Sequence, residues 1–345
     1  MSHKNLSVKT KIPKLFKDKL KIKKINQIYT KFEKSLNINE DFAVAVSGGP
    51  DSLALAFLAK IFSIKKKLIS KFFIVDHKLR PESTKEAKTV KRVLKKYSIK
   101  SEILTWKEKK PSKNIQSIAR NKRYKLLFSQ CDKHKINNIL LGHHKDDLLE
   151  NFFIRLLRGS GLKGLISLDT KNRIGNKNLL RPLLNQKKED LILISKKVFN
   201  FYVNDPTNND EKYRRITIRK LIYELQKNGL DKKKFYNVIK NLKHSNSVIN
   251  FYVNENIEKN AIFQKKNKRY ILNQLFFHQP HEIIFRALSD CLRKIGKKYY
   301  PVRGKKLDKI INDLEKGNLS KATLGGCIIK KVNQTVIISK EHENI

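Results

Sequence analysis

The stretch that most restricts the fold of this chain is residues 42–52, Phe-Ala-Val-Ala-Val-Ser-Gly-Gly-Pro-Asp-Ser. Its first half is apolar and partly β-branched, as expected of a buried central strand in a parallel sheet. Ser47, Gly48 and Gly49 then predict a tight turn whose backbone can approach an anion closely. Pro50 suits the first position of a helix, where a missing N–H costs nothing. This order of strand, glycine turn and helix start predicts a phosphate site at the helix N-terminus.

Other readings of this glycine turn are simpler or better known. An ordinary strand–turn–helix connection would also explain the two glycines. The common P-loop does not, because its G-x-x-x-x-G-K-[ST] pattern is absent from the chain. A G-x-G-x-x-G string does occur at 159–164, but it follows a predicted helix, and no acidic residue stands at a strand end about twenty positions later. We therefore expect no dinucleotide site there.

Apolar strand patterns alternate with helical patterns through the region 41–225. Further strands are predicted at 71–77, 101–106, 138–142 and 179–183, and helices at 81–97, 114–134 and 187–202. This alternation predicts an α/β fold with a doubly wound, Rossmann-like parallel sheet. Ligands of such sheets bind at the carboxyl ends of the strands. The prominent polar groups fall at these ends: Ser47–Ser52, Asp76–His77 and His143–His144.

The chain divides by pattern into four segments, and its 345 residues suit two globular domains. Residues 1–40 predict a basic N-terminal arm and helix, and residues 41–225 a catalytic domain. Residues 226–265 predict a linker of one or two polar helices. Residues 266–345 predict a smaller α+β C-terminal domain. Its expected elements are a strand near 270–272, helices near 280–295 and 303–315, and a hairpin pairing 322–330 with 335–339.

Basic residues outnumber acidic ones 77 to 31, which gives a formal net charge of +46. Such a field favours a polyanionic partner, most simply nucleic acid, although a general bias toward lysine would produce part of it. Cys131, Cys291 and Cys327 are far apart and form no C-x-x-C pair, which favours a reducing cytoplasm and no zinc or iron–sulfur site. No apolar run approaches eighteen residues and the basic N-terminus lacks an apolar signal core, so we expect no membrane association.

A second informative stretch, His-His-Lys-Asp-Asp-Leu-Leu-Glu, begins at His143. At helical spacing, His143, Asp147 and Glu150 would share one face. His144 and Asp146 would then point elsewhere, toward a nucleotide or a magnesium ion. Gathered carboxylates can hold a substrate amine or Mg²⁺. Two structural explanations stay open, namely complementation of the helix dipole and surface ion pairs with lysines.

With these motifs, the chain resembles the tRNA(Ile)-lysidine synthetase family, a branch of the N-type ATP pyrophosphatases with a PP-loop. Ser-Gly-Gly-Pro-Asp-Ser at 47–52 resembles the pyrophosphate loop. Further family-like strings lie at 75–83, 119–124, 142–151, 157–165, 181–184 and 205–219. Asn151 stands where the family has threonine. The resemblance is strong over about residues 41–220 and weaker at the hairpin around 324–326.

The resemblance implies an ATP-dependent ligation of free L-lysine to C2 of the wobble cytidine in tRNA(Ile) with a CAU anticodon. ATP would adenylate the C2 oxygen with release of pyrophosphate, and the lysine ε-amine would then displace AMP. The modified tRNA would decode AUA as isoleucine. ATP and Mg²⁺ are the implied cofactors, while tRNA and lysine are the implied partners. The oligomeric state stays open, a homodimer included.

The resemblance also implies roles for individual residues. The ATP-binding set would be Ser47, Gly48, Gly49, Pro50, Asp51, Ser52, Asp76, His77, Gly142 and His143. The catalytic set would be Asp51, Asp147, Glu150, Arg123 and Arg215, with Arg214 as an alternative to Arg215. Within it, Asp147 and Glu150 would bind lysine, Asp51 would hold Mg²⁺, and the arginines would neutralise phosphate or position the base. The C-terminal domain and the N-terminal arm would bind the tRNA.

Three other functions fit part of the sequence. A PP-loop enzyme of the 2-thiocytidine synthetase type needs paired cysteines, which this chain lacks. A non-catalytic basic RNA-binding protein would bind tRNA without turning over ATP. A small-molecule synthetase of the same superfamily would leave the large positive charge unexplained.

Overall fold

The computed structural model describes residues 12–108, 115–204, 214–297, 302 and 304–341. By its internal contacts the chain forms two compact units, Met1–Asp231 and Lys232–Ile345. The first part of the family-like string at 205–219, where Asp-Pro-Thr-Asn also predicts a turn, and the first eleven residues of the predicted arm lie outside the described residues. The unit boundary at Asp231 falls inside the predicted linker, and the four-segment division stays a prediction.

The first unit is built on a six-stranded sheet with strand order β3-β2-β1-β4-β6-β5. Its strands are β1 (Phe42–Val46), β2 (Ser70–Asp76), β3 (Ser101–Thr105), β4 (Asn138–Leu140), β5 (Lys171–Ile174) and β6 (Lys177–Leu180). All neighbouring pairs are parallel except β5 with β6. At the centre, Val44 lies between Phe72 and Leu140. The predicted α/β class with a parallel sheet is therefore confirmed.

Helices cover both faces of this sheet. They are α1 (Lys14–Leu20), α2 (Lys23–Ser35), α3 (Pro50–Lys66), α4 (Ser83–Lys96), α5 (Ile115–Lys133), α6 (Lys145–Leu156), α7 (Leu162–Leu165), α8 (Lys188–Phe199) and α9 (Arg214–Lys227). Phe42 and Val44 lie in a core shared with α1–α4 and α8. Ala43 faces the other way, into a core that includes Leu127 and Cys131 of α5. The alternation along β1 is what a strand buried on both faces requires.

The described part of the predicted N-terminal arm is packed into the first unit. Phe16 of α1 and Phe32 of α2 are fully buried. The Phe16 ring meets Phe57 of α3 edge to face, with ring centroids 5.1 Å apart. These two helices therefore help to cover one face of the sheet in the first unit.

The prediction was wrong at one edge of the sheet. Strand β5 was not predicted, and β6 begins before the expected 179–183. The residues of β5 are Lys-Asn-Arg-Ile, and two of the four are exposed. An edge strand without alternating apolar residues looks like a loop in sequence.

The second unit begins with one long helix, α10 (Lys232–Asn260). Its antiparallel sheet has the order β7-β8-β11-β10-β9. The strands are β7 (Ala261–Gln264), β8 (Arg269–Leu272), β9 (Lys321–Leu324), β10 (Cys327–Val332) and β11 (Thr335–Lys340), and the helices α11 (His281–Gly296) and α12 (Gly304–Glu315) complete the unit. The predicted strand 322–330 is wrong, because the chain turns at Gly325 and Gly326 and divides it into β9 and β10. None of the described helices is both long and apolar enough to span a membrane.

Candidate active site

The loop between β1 and α3 is organised by one hydroxyl group. Ser52 Oγ accepts hydrogen bonds from the backbone N–H groups of Ser47 (3.1 Å) and Gly48 (3.0 Å). The same hydroxyl donates to the carbonyl of Gly49 at 3.0 Å. Ser52 is buried. In this structure its hydroxyl therefore shapes the loop from within, whereas the prediction had it holding pyrophosphate.

Gly48 is held in a conformation that other residues avoid. Its φ is +90°, and a Cβ on it would lie 2.5 Å from Val90 Cγ2 and 2.9 Å from Val203 Cγ2. Its carbonyl accepts a hydrogen bond from the Val203 N–H at 2.9 Å. Only glycine meets both demands, so the turn depends on this residue more than on Gly49.

Asp51 lies in the first turn of α3, where the dipole favours an acidic side chain. Its Oδ1 is buried and has no hydrogen-bond partner. Burial raises the pKa of this carboxyl, while the neighbouring His144 and Lys188 act in the opposite direction. A buried carboxylate oxygen without a partner, beside a phosphate-binding loop, fits a cation ligand.

His144 joins Asp51 to the acidic helix α6. Its Nδ1 accepts the backbone N–H of Asp146 at 3.2 Å, so the neutral ring carries its proton on Nε2. That Nε2 lies 3.7 Å from Asp51 Oδ2 and 3.7 Å from Asp147 Oδ2. The expectation that His144 points away from the carboxylates is therefore wrong.

The cap of α6 explains the error. The helix begins at Lys145, and His144 is its N-cap residue, whose own N–H donates to Asp147 Oδ2 at 2.8 Å. His143 precedes the helix, so it cannot share a helical face with Asp147 and Glu150, as the spacing predicted. Burial acts to raise the pKa of Asp147, but the neighbouring His144 and His143, the hydrogen bond from the His144 N–H and the charge of Arg215 outweigh it. The pKa of Asp147 is therefore below its ordinary value.

Glu150 is buried and already has a cationic partner. Arg219 on α9 donates from Nε to Glu150 Oε1 at 2.6 Å, and its second nitrogen lies 3.5 Å from Oε2. Glu150 is thus not an open carboxylate as predicted. The sequence motifs indicated Arg214 and Arg215 in this basic run, and Arg219 was not predicted. A signal was present, because Arg219 follows Arg215 by four residues, the spacing that places two residues on one helical face.

The predicted arginines have different surroundings. Arg123 is exposed, and its Nε donates to His77 Nε2 at 3.1 Å. Arg215 is exposed near the start of α9. Its positive charge acts on Asp147 and His143 at the centre of the site. The structure therefore brings Arg215 toward the carboxylates and places Arg123 at the end of β2.

Asp76 and His77 end strand β2. Asp76 is buried and accepts hydrogen bonds from the Lys78 N–H (2.9 Å), the Ser83 hydroxyl (2.9 Å) and the Thr84 hydroxyl (2.7 Å). This carboxylate therefore orders the connection from β2 to α4. Burial, and next the charge of Arg123, lower the pKa of His77 to about 4.

Unpartnered polar atoms follow the carboxyl ends of the parallel strands. Besides Asp51 Oδ1 they are His77 Nδ1, His143 Nδ1 and Arg181 Nε, which follow β2, β4 and β6. Burial lowers the pKa of His143 to about 3, so its ring is neutral. Buried polar groups in folded proteins normally have partners. Their grouping makes this rim the candidate site for a polar ligand.

Gly142 sets the distance between the loop and α6. A Cβ on Gly142 would lie 3.2 Å from the carbonyl carbon of Asp51 and 3.2 Å from Ser52 Cα. The end of β4 can therefore touch the first turn of α3 only because Gly142 has no side chain. This contact brings Asp51 and His144 together.

The donor set for a metal is small. The described residues contain no group of three or more His, Cys, Asp or Glu side chains arranged to hold a metal ion. Asp51 offers one free carboxylate oxygen. Mg²⁺ is commonly held by one or two carboxylates together with substrate phosphates and water. The residues therefore fit Mg²⁺ that arrives with a nucleotide.

Comparison with known proteins connects this geometry to a family. Residues 18–225 match the PP-loop domain family. Over 312 residues the chain is 36% identical to the tRNA(Ile)-lysidine synthase of Orientia tsutsugamushi (strain Boryong), an alignment covering 88% of this chain and 70% of that one. The chain belongs to the tRNA(Ile)-lysidine synthase family.

Two further tRNA(Ile)-lysidine synthases show how widely the similarity extends. The protein of Wolbachia pipientis wMel is 34% identical, with 89% of this chain and 72% of that one aligned. The protein of Bradyrhizobium sp. (strain BTAi1 / ATCC BAA-1182) is 29% identical, with 86% and 88% aligned. In both, the alignment to this lysidine synthase family member extends past the PP-loop domain into the second unit.

A solved structure shares the fold of this lysidine synthase family member. The U34-tRNA thiolase NcsA from Methanococcus maripaludis, solved with its 4Fe-4S cluster, has a TM-score of 0.53 and 18% identity, over 64% of this chain and 78% of that one. In the present chain Cys131, Cys291 and Cys327 are all buried. Cys131 belongs to the first unit and the other two to the second. Burial raises the pKa of Cys131 to about 12, so its thiol is unreactive.

Proposed function

We propose that this protein joins free L-lysine to C2 of the wobble cytidine of a tRNA(Ile) with a CAU anticodon. In the first step the C2 oxygen attacks the α-phosphate of ATP, and the bond to pyrophosphate breaks. In the second step the lysine ε-nitrogen attacks C2, the C2–O bond breaks with AMP as the leaving group, and the nitrogen loses a proton. Membership of the lysidine synthase family supports this reaction.

The observation that carries the proposal is the position of His144 between Asp51 and Asp147, with Nε2 3.7 Å from each carboxylate. Asp51 belongs to the turn that would hold the phosphates of ATP. Asp147 belongs to the helix that would hold the amino acid. The activated base and the attacking amine must meet, and these two groups are in reach of one imidazole ring.

The pKa values of Asp51 and Asp147 are shifted in opposite directions, which suggests different roles for the two carboxylates. The lowered pKa of Asp147 keeps it an anion over the working pH range, which suits a group that binds the lysine ammonium. The raised pKa of Asp51 reflects a buried charge in need of compensation. A bound Mg²⁺ would supply it and would neutralise charge on the transferred phosphate. We assign Asp51 to that ion and the Ser47–Ser52 loop to the pyrophosphate.

The remaining residues have supporting roles in this proposal. Arg123 and Arg215 would neutralise phosphate or position the cytidine, which must leave its stack to reach the loop. Residues 266–345 would bind the tRNA, and the charge of +46 supports this partner. We propose that residues 40, 225 and 265 mark the ends of segments with different functions. A tRNA substrate and three free cysteines favour the cytoplasm.

The proposal is tested by incubating the full chain with ATP, L-lysine and a CAU-anticodon tRNA(Ile) transcript. AMP release should require both lysine and tRNA, and labelled lysine should enter the tRNA. A transcript with uridine at the wobble position is the matched control and should accept no lysine. ATP consumption without lysine incorporation would contradict the assignment, and tRNA binding without ATP turnover would indicate a non-catalytic RNA-binding protein.

A further inference from the structure

The ion pair between Arg219 and Glu150 leaves half of the guanidinium available. Glu150 contacts Nε and one terminal nitrogen, which form one edge of the planar group. Apart from this pair, no hydrogen bond or ion pair of Arg219 appears among the described residues. Its side chain is 35% exposed, whereas that of Glu150 is 5% exposed. Glu150 thus holds the guanidinium by one edge, and the opposite edge makes no hydrogen bond or ion pair with the described residues.

We propose that this opposite edge of Arg219 binds the α-carboxylate of the substrate lysine. This role rests on the proposed function. An arginine fork matches a carboxylate in two parallel hydrogen bonds, and a fork already fixed by Glu150 loses little freedom on binding. Free lysine carries one anionic group, and the neighbouring Asp51 and Asp147 cannot accept it.

The two proposed anchors are neighbours, because the charge of Asp147 acts on Arg219. Asp147 and Glu150 are three residues apart on α6, so their Cβ atoms are roughly 5–6 Å apart. An ammonium at Asp147 and a carboxylate at Arg219 would lie at the two ends of one extended four-methylene chain. The pair of anchors would therefore recognise both ends of the substrate, and Glu150 becomes a positioning residue that acts through Arg219.

The rival explanation is purely structural, because a buried Glu150 needs a positive neighbour whatever the substrate. The two explanations differ for an amine donor without a carboxylate. Cadaverine, 1,5-diaminopentane, has the same amine and chain length as lysine but lacks the α-carboxylate. An arginine that reads the carboxylate affects lysine alone, and an arginine that only neutralises Glu150 affects both donors.

The experiment uses the full chain, ATP and the CAU-anticodon transcript, and compares lysine with cadaverine as donors. Arg219→Gln should lower kcat/KM for lysine about 10- to 100-fold, the size expected for lost hydrogen bonds between charged groups. The value for cadaverine should change less than about threefold. Lysine-independent exchange of pyrophosphate into ATP, in the presence of tRNA, should be unchanged. Lys227→Gln is the matched control, since Lys227 is on the same helix and pairs only with Glu224 and a tyrosine ring.

A second variant guards against misfolding. Arg219→Gln leaves Glu150 buried and unpaired, whereas the double variant Glu150→Gln with Arg219→Gln removes both charges. The double variant should keep cadaverine use and lose the preference for lysine. Equal losses for lysine and cadaverine, or loss of pyrophosphate exchange, would overturn the role of Arg219. If the unchanged protein fails to incorporate lysine while Arg219→Gln behaves identically, the proposed function fails first.

Discussion

The Ser47–Ser52 loop and the carboxylates Asp147 and Glu150 of α6 are neighbours, but each region is held in place by a different kind of contact. Among the described residues, the Ser52 hydroxyl bonds to groups three to five positions away, from Ser47 to Gly49. The carboxylates depend on distant partners, as in the pair of Arg219 and Glu150, which are 69 positions apart. The Ser52 hydrogen bonds should therefore form wherever β1 and α3 form, although Gly48 also contacts Val90 and Val203. The Glu150–Arg219 pair forms only when α9 is in place. Damage to each region should have a different signature.

The largest expected effect concerns the loop itself. Gly48→Ala should lower the free energy of unfolding by about 2–5 kcal/mol, because the new methyl group meets Val90 and the left-handed backbone disfavours alanine. Gly49→Ala is the matched control, since its Cβ would approach only Ser47 Oγ, at 3.8 Å. Denaturant titration followed by the single tryptophan, Trp106, measures both. Equal losses would mean that the loop is not held as described.

Asp51 is part of the loop and also lies beside His144 at the start of α6, so its substitution tests the contact between the two regions. Asp51→Asn should lower lysine-dependent AMP formation about 10²-fold, the loss typical of one electrostatic group directed at developing charge. Affinity for the tRNA should stay nearly unchanged, because that affinity comes from many lysines. Asp190→Asn is the control, because it removes a carboxylate on α8 that pairs with Lys24 of α2. A matching loss of tRNA affinity would make Asp51 a structural residue.

Ser52→Ala sharpens the local side of the comparison. It leaves the N–H groups of Ser47 and Gly48 without their acceptor and should cost about 1–2 kcal/mol in the free energy of unfolding. The KM for ATP should rise as the loop loses its shape, while the KM for lysine should hold. Thr89→Ala removes an exposed hydroxyl on α4 and is the control. A larger change in the KM for lysine would show that the two regions are not independent.

The smallest effect is a pH dependence at His77. Its folded pKa of about 4 lies below its ordinary value of 6.5, because of burial first and Arg123 second. The unfolded chain therefore binds the proton more readily, so this stability is complete above pH 6.5 and is lost as the pH falls toward 4. The contribution should be less than about 1 kcal/mol for a ring that is partly exposed.

Substitution of His77 measures this contribution. His77→Gln should flatten the dependence of the unfolding midpoint on pH between 6.5 and 4. Trp106 is a direct probe, because its ring meets that of His77 edge to face at 6.5 Å. His244→Gln, an exposed position on α10, should leave the curve unchanged. An unaltered curve in His77→Gln would assign the pH dependence to other groups.

The same division between local and distant contacts explains what the sequence could predict. The strand, turn and helix at 42–52 were predictable, because the apolar run, the glycines and Pro50 each act on the backbone within a few positions. The central strands were predictable because burial on both faces demands continuous apolar residues. Strand β5 was not, since its stability comes from pairing with β6 rather than from its own residues.

In the candidate site, the residue types were foreseeable and their partners were not. The helix α6 begins two residues later than the spacing suggested, and this shift moved His144 from the periphery to the centre. Arg219 could not be matched with Glu150 by any local rule, because the contact arises only when α6 packs against α9. Short sequence motifs thus indicate which side chains a site contains, whereas the contacts between those side chains depend on the tertiary fold.

One detail at the end of β4 bears on redesign. At Gly142 a single added methyl would press on the backbone of Asp51 and Ser52 and push the segment after β4 away from the first turn of α3. The distance between Asp51 and His144 is therefore set by main-chain atoms, which cannot rotate aside as side chains do. A redesign for bulkier amines should therefore change side chains of α9 and leave the contact between Gly142 and the first turn of α3 intact.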